Sequence, residues 1–199
     1  MKRAAIAGFA AGAAMMIGGA LAAVSGDEKI VPETTSERMN PMIGGQAMLP
    51  NRDIMENIGS SPMHTALVAA LKDSGVAGAL KSNGQFTVFA PTNAAMASAG
   101  PQSKASLARR MSYLIVPGKY DSVALLRVIN EAGGEARLRT AEGGVLTARM
   151  NGPTNIAIMD EKGNIADIAI YDVRDKNGII HVVDRVLEPE GSSRQVAAR

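Results

Sequence analysis

The side chains able to do chemistry in this 199-residue chain are few: two histidines, no cysteine and a scatter of carboxylates. Without a thiol there is no cysteine nucleophile, no disulfide and no lipid attachment through an N-terminal cysteine, so folding rests on packing alone. A zinc site built from several imidazoles cannot be assembled from His64 and His181. No G-x-S-x-G elbow, Gly-Lys-Ser/Thr phosphate loop or paired-histidine metal motif occurs. Asp160, Asp167, Asp172 and Asp184 could gather for acid–base work. They fall at strand ends and turns, however, where Asp is favoured for its backbone hydrogen bonds. The pattern points away from an enzyme and requires neither cofactor nor metal.

His181 and Asp184 interrupt the apolar stretch NGIIHVVDRVLEP, Asn177 to Pro189. In a strand, Ile179, His181, Val183, Arg185 and Leu187 face one way, and Ile180, Val182, Asp184, Val186 and Glu188 the other. Both faces are apolar over most of their length, which predicts a central strand covered on both sides. Asn177-Gly178, two residues that readily hold φ > 0, predicts a tight hairpin turn into it. A polar group buried without a partner costs roughly 1 to 3 kcal/mol. His181 and Asp184 are therefore expected to be satisfied structural residues, hydrogen-bonded to a neighbouring loop.

Around that strand the chain must supply a frame. Asn51 is placed to cap a helix with Ile54, Met55 and Ile58 on one side. Ser61-Pro62 fits an N-cap and first helical residue ahead of a stripe of Leu67, Val68 and Leu71, ended by Gly75. His64 falls in that first turn, where a polar residue is usually partly exposed. Val76 to Lys81 adds a helical turn. Phe86, Val88 and Ala90 alternate with Thr87 and Phe89 in a strand that Pro91 stops, and Thr92 or Asn93 caps the short helix after it. Ser103 heads an amphipathic helix with Leu107, Met111, Leu114 and Ile115 on its stripe and Tyr113 on its flank, closed by Pro117-Gly118. Asp121 or Ser122 starts another, with Val123, Leu126 and Ile129 or Val128 inward. From Ala136 the period changes to two, in four β-type runs separated by Glu142-Gly143-Gly144, Asn151-Gly152-Pro153 and Glu161 to Asn164. Helices first and antiparallel strands later predict an α+β domain, with the strand at Phe86 joining the later ones.

Three stretches together resemble the fasciclin domain. GQFTVFAPTNAAMA, Gly84 to Ala97, is similar to its first signature box, and NGIIHVVDRVLEP to its second. YLIVPGKYDS, Tyr113 to Ser122, stands between them, where members carry a Tyr-His pair and then a Val-Pro-Gly turn. The likeness runs from Leu49 to Pro189. It implies a compact β-sandwich or wedge of mainly antiparallel strands flanked by several short helices, with Thr92, Asn93, His181 and Asp184 as structural signature residues. The family's Tyr-His pair, linked to integrin contact in animal members, is Tyr113-Leu114 here. Tyr113 is therefore a candidate contact residue on a motif that lacks its histidine, which weakens adhesion through this site.

At the N-terminus Lys2 and Arg3 precede an uncharged run from Ala4 to Val24, with small residues from Ala20 to Ser25. This has the form of a secretory signal peptide over residues 1–25. The run is also long enough to span a bilayer, so an uncleaved anchor is the alternative; its Ala and Gly content favours cleavage. Residues 26–48 shift to Asp, Glu, Pro, Thr and Gly without a period, which predicts a flexible linker. A domain over 49–189 and a disordered tail over 190–199 follow. Removing Lys2 and Arg3 with the leader balances basic and acidic residues, and Arg109-Arg110 and Arg137 with Arg139 are short and interleaved with apolar residues. Nucleic acid is not an expected partner. The low aromatic content, 3% with no tryptophan, argues against stacking platforms for bases or sugar rings. The expectation is an exported binding protein, periplasmic, cell-surface or secreted, of bacterial origin. It would act in cell adhesion or envelope organisation, with a cell-surface or matrix protein or glycan as partner and membrane contact only through a retained N-terminal segment. A carrier of an apolar pigment or lipid is the alternative, favoured by twelve methionines. A hydrolase is a distant third.

Overall fold

The computed structural model describes residues 40–81, 84–100 and 102–191. The signal-peptide reading and most of the expected linker and tail lie outside the described residues. Asn40 opens the packed chain: its side-chain oxygen accepts the Arg174 N–H at 2.9 Å and its amide donates to the Arg174 carbonyl at 2.6 Å, so a side chain stands in for a neighbouring strand. β1 (Met42–Ile43) and β2 (Gln46–Ala47) form a small antiparallel hairpin turned by Gly44 and Gly45, both at positive φ. Ile43 and Met48 are buried in the main core. Packing thus begins at Asn40 rather than at Leu49. Two buried apolar side chains fold the segment and are too few to show a period.

α1 (Ile54–Ser60) is capped by Asp53, not Asn51; Asp53 and Glu56 close a reciprocal capping box, which satisfies two otherwise unpaired N–H groups. α2 (Thr65–Asp73) starts only after His64, because Pro62 and Met63 form a turn; Leu67 and Leu71 are buried as the stripe predicts. α3 (Ala77–Leu80) is followed by β3 (Phe86–Pro91), α4 (Asn93–Ser98) and α5 (Lys104–Tyr113), the last capped by Ser103. Ile115 is not on the helical stripe; it begins β4 (Ile115–Pro117). α6 (Ser122–Glu131) buries Leu125 and Ile129, while Val123 and Leu126 are 62% and 38% exposed. Its apolar residues form two adjoining stripes, and the anchoring of its N-terminus selects the one that faces inward. β5 (Glu135–Arg139), β6 (Val145–Asn151), β7 (Asn155–Met159), β8 (Ile165–Asp175) and β9 (Gly178–Val183) complete the domain, with turns at the predicted Gly-containing segments.

Seven strands form one sheet in the order β4-β3-β9-β8-β7-β6-β5, antiparallel except for the parallel pair β3–β9. β8 joins the two halves: Ile165 to Asp167 pair with β7, and Ile168 to Asp175 pair with β9 across irregularities at Ile168/Ile170 and Ile170/Val173. Such bulges bend a strand and increase its twist, so the sheet folds over along β8. Its edges then meet, the Ala141 N–H beyond β5 donating to the Ile115 carbonyl of β4 at 2.7 Å. The result is an α+β wedge close to a barrel, with short helices packed against it, as expected for the fold class.

All six residues of β9 are buried, and each Ile or Val there contributes about 1.5 to 3 kcal/mol through removal from water. The strand ends at Val183, so Arg185 and Leu187 do not continue its face. Gly178 is not at positive φ, and the hairpin turns through Lys176 and Asn177 instead. Glycine is required for another reason: a Cβ at 178 would lie 2.1 Å from the Phe86 carbonyl oxygen, so only a hydrogen lets β3 and β9 approach. Asn177 ties the hairpin to helices, accepting the Ile54 N–H at 2.9 Å and donating to the Leu80 carbonyl.

Candidate functional site

His181 is fully buried on β9, between Phe89, whose ring stacks at 5.8 Å, and Tyr171, whose ring meets it edge-on at 6.0 Å. Nε2 lies 2.7 Å from the Tyr120 carbonyl, and Nδ1 is met by the Asp172 N–H at 3.4 Å. One nitrogen must therefore donate and the other accept, which is the neutral imidazole with its proton on Nε2. Burial lowers its pKa below 6.5, outweighing the Tyr120 carbonyl and the nearby Asp172 and Asp121.

Ser122, Asp172 and His181 are close together, the residue types of a hydrolytic triad, but their wiring differs from one. Ser122 donates its N–H and its hydroxyl to the two Asp172 oxygens, at 2.6 Å each, and both His181 nitrogens face backbone groups. A nucleophile is activated by contact with the base, and here Ser122 contacts the carboxylate. The arrangement fastens α6 instead. Asp172, at φ 59 in the left-handed region that Asp tolerates, holds the first N–H of α6, and Asp121 accepts the Ala124 N–H and pairs with Arg174 at 3.3 Å.

The remaining signature residues are spread over the wedge. Thr92 is the N-cap of α4, accepting the Ala95 N–H at 3.3 Å. Asn93 is the first residue of that helix, and its amide joins α4 to α2: its oxygen accepts from the Ala66 N–H at 2.9 Å and the Thr65 hydroxyl at 3.2 Å, and its nitrogen donates to the Pro62 carbonyl at 2.9 Å. Asp184 is exposed beyond the end of β9 rather than on a covered face, and accepts the Asp167 N–H at 2.8 Å. Tyr113 is not on a flank but fully buried. Its hydroxyl donates to the Val145 carbonyl at 2.7 Å and accepts the Glu161 N–H at 3.1 Å. With no exposed surface it has nothing to offer a partner, and burial raises its pKa.

Other buried polar groups carried no strong sequence signal. His64 is 1% exposed, not partly exposed, with Nδ1 2.9 Å from the Ser61 hydroxyl. Burial lowers its pKa; the Ala90 carbonyl opposes this, although Nε2 makes no hydrogen bond of good geometry. Asn57 holds the Leu49 backbone through both its polar atoms and donates to Asp175. Asp175 is 4% exposed with Oδ2 unpartnered, and burial pushes its carboxyl up to about 7. The carboxylates flagged in sequence do not converge: Asp160 organises the turn after β7, Asp167 takes Asn151 and Asn155, and Asp172 holds α6. Among the described residues no group of His and carboxylate side chains could hold a metal ion.

Two surface features remain. An open groove of about 1040 Å³ runs between α4 and the segment from Asp184 to Gly191, over Ala95, Ala99 and Val186, with Lys162 and Asn164 beside it. Its acids are engaged, Glu188 by Arg110 and Lys162 and Asp184 by the Asp167 N–H. The outer face of β5 and β6 carries Arg137, Arg139 and Arg149. Arg137 and Arg139 alternate with Ala136 and Leu138 along β5, and in a strand that alternation places the two arginines on one face.

The fasciclin domain model matches residues 62–189. Protein sll1483 of Synechocystis sp. is 33% identical over 147 residues, 68% of this chain and 73% of that protein. The uncharacterized Synechocystis protein sll1735 is 32% identical over 149 residues, 70% of this chain and 98% of its own length. Transforming growth factor-beta-induced protein ig-h3 of Sus scrofa is 26% identical over 146 residues, 73% of this chain and 20% of that protein. Among solved structures, a FAS1 domain pair from the insect cell adhesion molecule fasciclin I matches with a TM-score of 0.59 and 22% identity, over 71% of this chain and 52% of that one, a likeness of fold.

Proposed function

Because the chain belongs to the fasciclin domain family, we propose that it is an exported binding protein acting in cell adhesion or envelope organisation, with a cell-surface or matrix component as partner. Fasciclin domains are generally non-enzymatic modules of the adhesion or binding type, and typically extracellular or secreted. One observation carries the reading here: the one triad-like group of side chains among the described residues, Ser122, Asp172 and His181, is engaged in structure. His181 faces backbone on both nitrogens, and Ser122 and Asp172 are consumed at the start of α6. The insect relative is a cell adhesion molecule, which supports the biological setting. Lys2, Arg3 and the uncharged run after them support export, and the Ala and Gly content of that run supports a cleaved leader over a retained anchor. Among the described residues no helix is long and apolar enough to cross a membrane. The carrier reading draws little support from a groove that is open and lined by charged side chains.

The test is a pelleting assay of labelled Gly26 to Arg199 with intact cells and isolated envelopes. The expected result is saturable binding tighter than about 10 μM, roughly 7 kcal/mol. No saturable binding would overturn the adhesion reading.

A further inference from the structure

We infer that the outer face of the β5–β6 pair docks a linear anionic polysaccharide, one with carboxylate or sulfate groups along its length. This rests on the binding-protein reading and gives it a surface and a partner class. Glu135, Arg137 and Arg139 point outward from β5 while Ala136 and Leu138 are buried. Arg137 is opposite Thr147, Arg139 opposite Val145 and Glu135 opposite Arg149, which makes Arg149 the diagonal neighbour of Arg137. Arg137 thus has Arg139 along its own strand and Arg149 on the diagonal, each rising on the same face from a position about 7 Å away.

Their pairing is uneven. Arg149 meets Glu135 at 3.5 Å. The side chains of Arg137 and Arg139 are exposed and make no hydrogen bond or ion pair with any described residue, as is also true of Arg52 and Arg185 elsewhere, whereas Arg109, Arg110, Arg127 and Arg174 each meet a carboxylate. Glu135 and Asp167 share the register row of Arg149, and the neighbouring row of Arg137 continues through Thr147, Met159 and Ile165 without an acid. Like charges side by side are unfavourable in the free domain, and a polymer bearing repeated anions removes that repulsion. Guanidinium forks match carboxylate and sulfate oxygens two at a time.

The surroundings select a polysaccharide over other polyanions. Among the described residues no aromatic side chain is exposed to stack bases. Among the described residues the exposed large apolar side chains, Met42, Leu49, Met63, Val123 and Leu126, all lie away from β5 and β6, so this face lacks the large exposed apolar side chains that centre a protein interface or enter a bilayer.

The experiment is titration of the full chain with polygalacturonate, dextran sulfate, neutral dextran and vesicles containing phosphatidylglycerol. Saturable binding to both charged polymers and none to neutral dextran is expected, with about a tenfold loss between 50 and 300 mM salt. R137A/R139A should weaken it at least about tenfold, with an unchanged melting curve. R137Q/R139Q repeats the test if the alanine variant folds poorly, and R127A on α6 should bind as the parent does. Binding to neutral dextran, binding to vesicles alone, or R137A/R139A binding as the parent does would overturn the proposal. Envelope pelleting with the same variants separates the two failures: capture that survives R137A/R139A removes only this surface, whereas no capture of the parent removes the adhesion reading beneath it.

Discussion

Replacing His181 by alanine leaves the Tyr120 carbonyl without its donor and opens a space between Phe89 and Tyr171. The expected cost is about 2 to 4 kcal/mol of unfolding free energy at pH 8, measured in urea. Because burial holds the imidazole pKa below 6.5, the unfolded chain takes up protons in mild acid that the folded one refuses. The stabilisation is complete above 6.5 and declines as pH falls. The gap between parent and His181→Ala should therefore narrow from pH 8 to pH 5; a constant gap would mean that folding leaves the imidazole pKa unchanged, and a widening one that the buried ring carries charge. Asp175 has the opposite sign. With its carboxyl raised from 3.8 to about 7, the folded state keeps a proton that the unfolded chain releases, so its contribution is complete below 3.8 and is lost as pH rises through 7. Asp175→Asn retains an acceptor for Asn57 and removes the charge. It should be more stable than the parent by about 2 to 4 kcal/mol at pH 8 and no more stable at pH 4; equal stability at pH 8 would contradict a dry site.

At the scale of elements, the first box separates two neighbouring polar residues by what they hold. Thr92→Ala removes one capping bond within α4 and should cost about 1 kcal/mol. Asn93→Ala removes two bonds joining α4 to α2 and a third to the turn ahead of α2, and should cost about 2 to 3 kcal/mol; thermal melts that rank the two the other way would contradict this geometry. The strands from Glu135 to Asp175 were legible because alternation and Gly-containing turns are local signals. The covered character of β9 was legible in its unbroken Ile and Val. What was missed depends on distant neighbours. Val123 and Leu126 are as apolar as Leu125 and Ile129, and only the attachment of α6 to Asp172 chooses between them. His64 and Tyr113 carry no local mark of burial, and Asp184 left the covered face because the strand stops at Val183. Of the signature residues, Thr92 matched its local cap signal, whereas the inter-helix bonds of Asn93 span positions that sequence spacing does not connect.

At the scale of the molecule, the segment ahead of Leu49 is part of the fold. A chain beginning at Leu49 lacks the bonds from Asn40 to Arg174 and the buried Ile43 and Met48. It should melt well below one beginning at Arg38, by about 3 kcal/mol or more; equal melts would show that β1 and β2 are ornamental. The parallel pairing of β3 with β9 sets the order in which the domain can be completed. Phe86 must wait for Gly178, and β9 lies between β3 and β8. A polypeptide synthesised or threaded from its N-terminus therefore carries β3 with one side unpaired until Gly178 to Val183 have emerged. Pairing strands so far apart in sequence carries a loop-closure cost, which slows completion of the sheet relative to its local hairpins.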